Sequence, residues 1–226
     1  MTKSKIKWLI IYLFAITIVL FVLFHRPAYY KPQPVPDNKQ LSTYLTHQLI
    51  PQFYNGAQLQ EPFDIVITQQ GINDIISRLP LPEKSQKVNL TSPAVTFATD
   101  KILIVAAANV HGARLIITLE VAPTFNEKGL LNVNMNTVKI GAMSVTFAAR
   151  VLARQMYADK FDPSCINPDD IRSLLAASFF AGKPFDPVFT IDGKKIRLNK
   201  VTITNTQLLL HFIPIPDTAA AITSKY

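Results

Sequence analysis

The sequence predicts an α+β chain, with one apolar N-terminal helix followed by a single domain of helices packed on a long antiparallel sheet. Three observations carry that expectation. Residues 8–24, WLIIYLFAITIVLFVLF, hold no charge. Between residues 95 and 140, apolar strand-like runs are joined by the short turn-like links TDK, HG and PTFNEKG. Stripes of helical period stand before and after that stretch.

The apolar run comes first. As a helix it spans about 25 Å, the short end of a bilayer core. Lys7, Trp8, Phe24 and Arg26 are the expected interface residues, the indole at headgroup level and the cations snorkelling outward. Lys3, Lys5 and Lys7 crowd the N-terminal flank, which predicts a cytoplasmic tail at 1–7, a membrane span at 8–24 and the rest outside. A cleaved signal would need a small-residue site, and FHRPAYY offers none. Pro27, Pro32, Pro34 and Pro36 then favour polyproline II, so residues 25–38 are expected to form a semi-rigid stalk. The remaining residues, 39–226, suffice for one core without disulfides or metals.

Within that domain, Leu41, Tyr44, Leu45, Gln48, Leu49 and Phe53 share a helical face, with Asn38 as cap, a break or kink at Pro51 and a stop at Gly56. A short strand at 63–67 leads to Thr68, a good N-cap, and to a helix striped by Ile72, Ile75, Ile76 and Leu79 that ends at Pro80. Strands follow at 95–98, 102–110, 113–122 and 130–140, and links this short make them antiparallel neighbours. Val145, Ala148, Val151, Leu152, Gln155 and Met156 share one face of the next helix. Asn167-Pro168-Asp169-Asp170 reads as the start of another, running to Gly182. The chain closes with strands at 188–192 and 195–198 and a long one at 201–213, whose edge would be open to an added strand if uncovered.

Composition excludes several classes. Glycine is scarce, 7 in 226, and no P-loop, dinucleotide fingerprint, nucleophile elbow or HExxH occurs. The one cysteine, Cys165, has no neighbouring base, and His25, His47, His111 and His211 lack ligand spacing. Asp169 and Asp170 are explained by a helix N-terminus. Of the 23 basic and 15 acidic groups, five and one fall in residues 1–38, so the domain is only mildly basic and its cations are scattered. That argues against nucleic acid as a partner. No cofactor, metal or catalytic residue is expected.

One feature exceeds an ordinary core. Residues 102–108 and 115–119 are apolar on both faces although their strands read as antiparallel. Both faces must be covered, and Ala106, Ala107 and Ala108 leave space above them. Either two helical layers close on the sheet, or an apolar groove is left for an acyl chain. Its expected lining is Ile104, Val105, Ala107 and Ile116 from the sheet, with Val151 and Phe179 from the helices.

The order of features, ITQQGINDIISRL, then sheet, then VKIGAMSV before a helix, then INPDD, then GKKIRLNKVTITNTQLLLHFIP, resembles the YpmS-like family of single-pass envelope proteins of Gram-positive bacteria. Gln70 to Asn73 and the junction from Ile140-Gly141 to Val145 carry the likeness. That family is similar in plan to tubular lipid-binding domains, in which a long curved sheet wraps a helix around an apolar groove. The resemblance implies a bacterial cell-membrane protein, its N-terminus cytoplasmic and its domain extracytoplasmic, that holds a lipid or other long apolar ligand. The alternative is a non-enzymatic envelope scaffold that grips a protein partner by its sheet edge.

Overall fold

The computed structural model describes residues 3–34, 40–79, 88–110, 112–160 and 170–216. His111, Cys165, Asn167-Pro168-Asp169, the Asn38 cap, residues 35–38 of the stalk and the Met156 side chain lie outside what is described. The class is α+β. Helix α1 (Lys3–Leu23) takes in most of the apolar run and is, among the described residues, the one helix long and apolar enough to cross a membrane.

After α1, a π-helical turn (Leu45–Leu49) runs straight into α2 (Ile50–Leu59). Pro51 sits in the first turn of α2, where no N–H is needed, so the expected kink becomes a change of helical winding just before it. The helix outlasts Gly56 and ends at Gln60 in a left-handed conformation. Strand β1 (Phe63–Thr68) leads to α3 (Gln69–Arg78), where the Thr68 hydroxyl accepts the Gly71 N–H at 3.1 Å, the cap the sequence indicates. Strands β2 (Val88–Ala98), β3 (Lys101–Val110), β4 (Ala113–Phe125), β5 (Leu131–Ile140) and β6 (Met143–Ser144) form an antiparallel meander. Helix α4 (Thr146–Lys160), α5 (Ile171–Ala181) and strands β7 (Val188–Ile191), β8 (Lys194–Ile203) and β9 (Gln207–Ile215) complete the chain. The N-cap of α5 is Asp170, not Asn167: its carboxylate accepts from the Arg172 N–H and the Ser173 hydroxyl.

The expected long sheet is realised as two. The meander β2-β3-β4-β5-β6 is one, and β1-β9-β8-β7 is the other, also antiparallel throughout. A turn at Thr204 splits the stretch 201–213 between β8 and β9, and β9 pairs with both β1 and β8. The closing strand is therefore interior, and its backbone is already used on both sides. This corrects the expectation of an open edge there.

The smaller sheet and α2 enclose an aromatic core in which the rings of Phe53, Phe63 and Phe189 surround the buried Phe212. Leu131 and Phe185 exchange backbone hydrogen bonds of 2.8 and 3.0 Å, tying the two sheets at one end. At the other end α3 packs Ile72 and Ile76 on a cluster drawn from both sheets, Val95 and Phe97 from one and Ile203 from the other.

Candidate functional site

The end of α1 is built into the domain. Ala142 donates its N–H to the Val22 carbonyl at 2.8 Å, and Gly141, in the β5–β6 turn, donates to Ile116 at 2.7 Å. The last carbonyls of a helix need partners, and here the turn supplies one. Gly141 has φ +61°, and a Cβ there would lie 2.3–2.4 Å from the Leu23 and Val22 carbonyl oxygens. Only glycine meets both conditions.

The segment after α1 is not a free stalk at its start. Pro27 and Tyr30 are buried, and Tyr30, 3% exposed, packs on Ala94, Val105, Ala107 and Ile116. Its hydroxyl donates to the Ser92 carbonyl at 2.8 Å, which a β-bulge with Ser92 at φ +50° brings within reach. Tyr29 bonds Thr118 through its hydroxyl at 3.2 Å. The Arg26 guanidinium lies 5.4 Å over the Tyr30 ring, so this cation faces the domain, where snorkelling would have turned it away. Lys7 and Trp8 on α1, and Phe24 just after it, are exposed.

The six residues expected to line a groove are thereby separated. Val105, Ala107 and Ile116 do share a face, and Tyr30 fills the space above their small side chains. Ile104 alternates to the opposite face and is 38% exposed. Val151 lies exposed on α4, and Phe179 lines a different recess on α5. One face of the sheet is covered by a tyrosine from the presumed stalk, while Ile104 on the other face stays exposed, so the full cover expected from the apolar runs is not met there.

Helix side chains also close the strand edges. The buried Asn73 amide donates to the Val95 carbonyl and accepts its N–H, both at 2.7 Å, and Gln69 accepts the Phe97 N–H at 2.8 Å. Spaced i, i+4 on α3, the two amides stand in for a strand beside β2. On β1, the Tyr44 hydroxyl accepts the Thr68 N–H and donates to the Val66 carbonyl. On β5, the Ser178 hydroxyl takes the Val133 N–H, Thr146 takes that of Val138, and Arg150 donates to the carbonyls of Met135 and Asn136.

Beside that β5 edge lies a cavity of about 370 Å³ between β5, α4 and α5. Asn134, Met135 and Asn136 form its floor, Arg150, Ala153 and Arg154 one wall, and Phe179, Phe180 and Gly182 the other. Arg150 is committed to backbone carbonyls. Arg154 is exposed, and among the described residues it makes no hydrogen bond or ion pair. A guanidinium group in a cavity that two phenyl rings also line can hold a carboxylate or phosphate whose remainder is apolar. The size falls in the usual range for small-ligand sites. Arg150, Arg154 and Phe180 were not singled out from the sequence. The signal that could have found them is an Arg pair at i, i+4 on a helix with several alanines.

Two smaller recesses are polar. One of about 150 Å³ lies by Tyr29 and the Lys101–Glu120 ion pair, and one of about 280 Å³ by Gln33, Gln70 and Asp74. In the latter, the Ser42 hydroxyl hydrogen-bonds Asp74 at 2.5 Å and holds its carboxyl below the ordinary range; partial desolvation opposes this and Arg78 adds to it. His211 and Asp64 meet across β9 and β1 at 2.6 Å in the open. Among the described residues no cluster of three or more His, Cys, Asp or Glu side chains could hold a metal. Comparison with protein-family models, curated proteins and solved structures finds no match for this chain, so function is argued from its own residues.

Proposed function

We propose that this protein is a membrane-anchored, extracytoplasmic domain that binds one acidic amphiphile, such as a phospholipid or fatty acid, in the cavity between β5, α4 and α5. The observation that carries the reading is the lining itself, which brings Arg150 and Arg154 of α4 together with Phe179 and Phe180 of α5. Arg154 would take the charged group in a charge-assisted pair, and the phenyl rings would shield methylenes, each contributing about 0.8 kcal/mol when removed from water. The apolar α1 and the lysines before it support an anchor with its N-terminus inside. The likeness to YpmS-like envelope proteins points the same way, and the reading is non-enzymatic.

The test is native mass spectrometry of the full chain released from membranes in mild detergent. A lipid or fatty-acid adduct is expected, and Arg154→Glu should abolish it without altering the fold. A chain that emerges empty, or an adduct indifferent to Arg154→Glu, would overturn the assignment. The scaffold alternative rests on β7, four residues on their sheet's border that, among the described residues, pair with β8 alone. Crosslinking from β7 in cells to a discrete protein would favour it.

A further inference from the structure

Among its described side chains, helix α4 turns its large apolar ones to the side away from the domain. Phe147, Val151 and Leu152 fall within one arc of about 140° at 100° per residue, which they share with Ala148 and the exposed Gln155. They are 84%, 42% and 57% exposed, while Ala149 and Ala153 on the opposite side are half-buried. Arg154 and Arg150 border the apolar arc along one flank. A helix of this kind, apolar outward with cations at the margin, has the pattern of one lying in a membrane interface.

The anchor gives that face its partner. Ala142 is bonded to Val22 in the last turn of α1, and Phe147 is the fifth residue after Ala142. Five residues span at most about 18 Å even when fully extended. The start of α4 is therefore tied to the level at which α1 leaves the bilayer, and the joint is held by a hydrogen bond and by the Gly141 contact. We propose that the outer face of α4 rests in the headgroup layer of the bilayer that α1 spans, with Phe147, Val151 and Leu152 inserted and Arg154 set toward acidic headgroups. The helix thus forms a second membrane contact, and it places the cavity behind Arg150 and Arg154 beside the lipid surface from which an amphiphile would come.

This rests on the reading of α1 as an anchor, and the two can be tested apart because the chain has a single tryptophan, Trp8 in α1. The full chain is reconstituted into phosphatidylcholine/phosphatidylglycerol vesicles whose acyl chains are brominated at shallow or deep positions. Native Trp8 reports on α1, and the double variant Trp8→Phe/Phe147→Trp reports on α4. The expected result is quenching of both, with the indole introduced by Phe147→Trp emitting to the blue and quenched more by shallow than by deep bromines. Replacing the acidic lipid, or adding Arg154→Glu, should reduce that quenching. Trp8 quenched while the α4 reporter stays red and unquenched would overturn this inference and leave the anchor standing. A blue-shifted, unquenched reporter that follows the protein-to-lipid ratio would overturn it in favour of a second copy covering α4. An unquenched Trp8 would remove the anchor and this inference with it.

Discussion

Helices α3 and α4 look alike in the sequence, each an amphipathic run with small and β-branched residues on one side. They are used in opposite ways. Helix α3 turns Ile72 and Ile76 onto both sheets and fastens β2 with Gln69 and Asn73, while Tyr44 presses on Gly71 so closely that a Cβ there would lie 2.3 Å from its ring. Helix α4 presents alanines to β5 and sends Phe147, Val151 and Leu152 outward. Periodicity fixes the width of an apolar stripe and leaves its direction open. The direction is set by what else must be satisfied. Around α3 these are the unpaired backbone groups of β2; along α4, Arg150 and Thr146 meet those of β5 and leave the apolar side without a partner among the described residues.

The largest way to break this contrast is to uncover the sheet face opposite α3. Tyr30→Ala removes a buried ring and the donor to Ser92, and it should destabilise the domain by about 3–5 kcal/mol, the usual range for losing a core aromatic. Thermal unfolding of the full chain in mild detergent checks this. The same logic moves the domain boundary. A chain beginning at residue 26 keeps Tyr30 and should unfold cooperatively, whereas one beginning at residue 39 should be far less stable.

Asn73→Ala comes next. It leaves the Val95 N–H and carbonyl without their partner in a buried setting, at roughly 1–3 kcal/mol for each orphaned group, so about 2–6 kcal/mol in total. Hydrogen exchange should show the loss concentrated in β2, with the Val95 amide exposed first. Uniform loss across both sheets would mean that the amide acts only through packing.

These two positions also mark the limit of what sequence pattern discloses. The meander was legible because its strands are apolar and its links short, and α3 because Thr68 caps it and Pro80 follows. The chemistry of Asn73 was not, since its partner lies 22 residues away and nothing local requires an amide there. Tyr30 sits among prolines that favour an extended spacer, and only the fitted alanines of β2 and β3 make it core. Gly141 was visible as part of a junction, but not the helix end that presses on it. The candidate cavity depends on α4 lying over β5 with its arginines inward of Phe147, which is a property of docking and not of spacing.

A smaller effect comes from the outer side of α3. Asp74, held low chiefly by Ser42, has a folded pKa beneath the unfolded value of about 3.9. Such a carboxyl adds stability that is fully present above the unfolded value and is lost as pH falls through the folded one. Ser42→Ala should bring the Asp74 pKa back toward ordinary. The variant should therefore melt lower at neutral pH, with the gap to the native chain narrowing below about pH 4. The gap should not close, because Ser42 also accepts the Leu45 N–H at 3.2 Å. A pH-independent difference would show that this second bond accounts for the whole effect.

The smallest expected change is at Leu152, and it bears most directly on the contrast between the helices. A side chain that is 57% exposed has little apolar area to lose, so Leu152→Ser should alter folding stability by no more than about 0.5 kcal/mol. The same replacement at Ile76, packed on Val95, Phe97 and Ile203, would fall in the range of a core cavity, about 2–5 kcal/mol. Urea unfolding of both variants, followed by circular dichroism in a common mild detergent, gives the two values on one scale. Detergent can itself coat an apolar face, so the pair is repeated at two detergent concentrations. A Leu152→Ser cost that stays near zero at both identifies α4 as a helix whose apolar side does not belong to the core. A cost approaching that of Ile76→Ser would mean that α4 is packed inward after all, and the proposed membrane contact would lose its face.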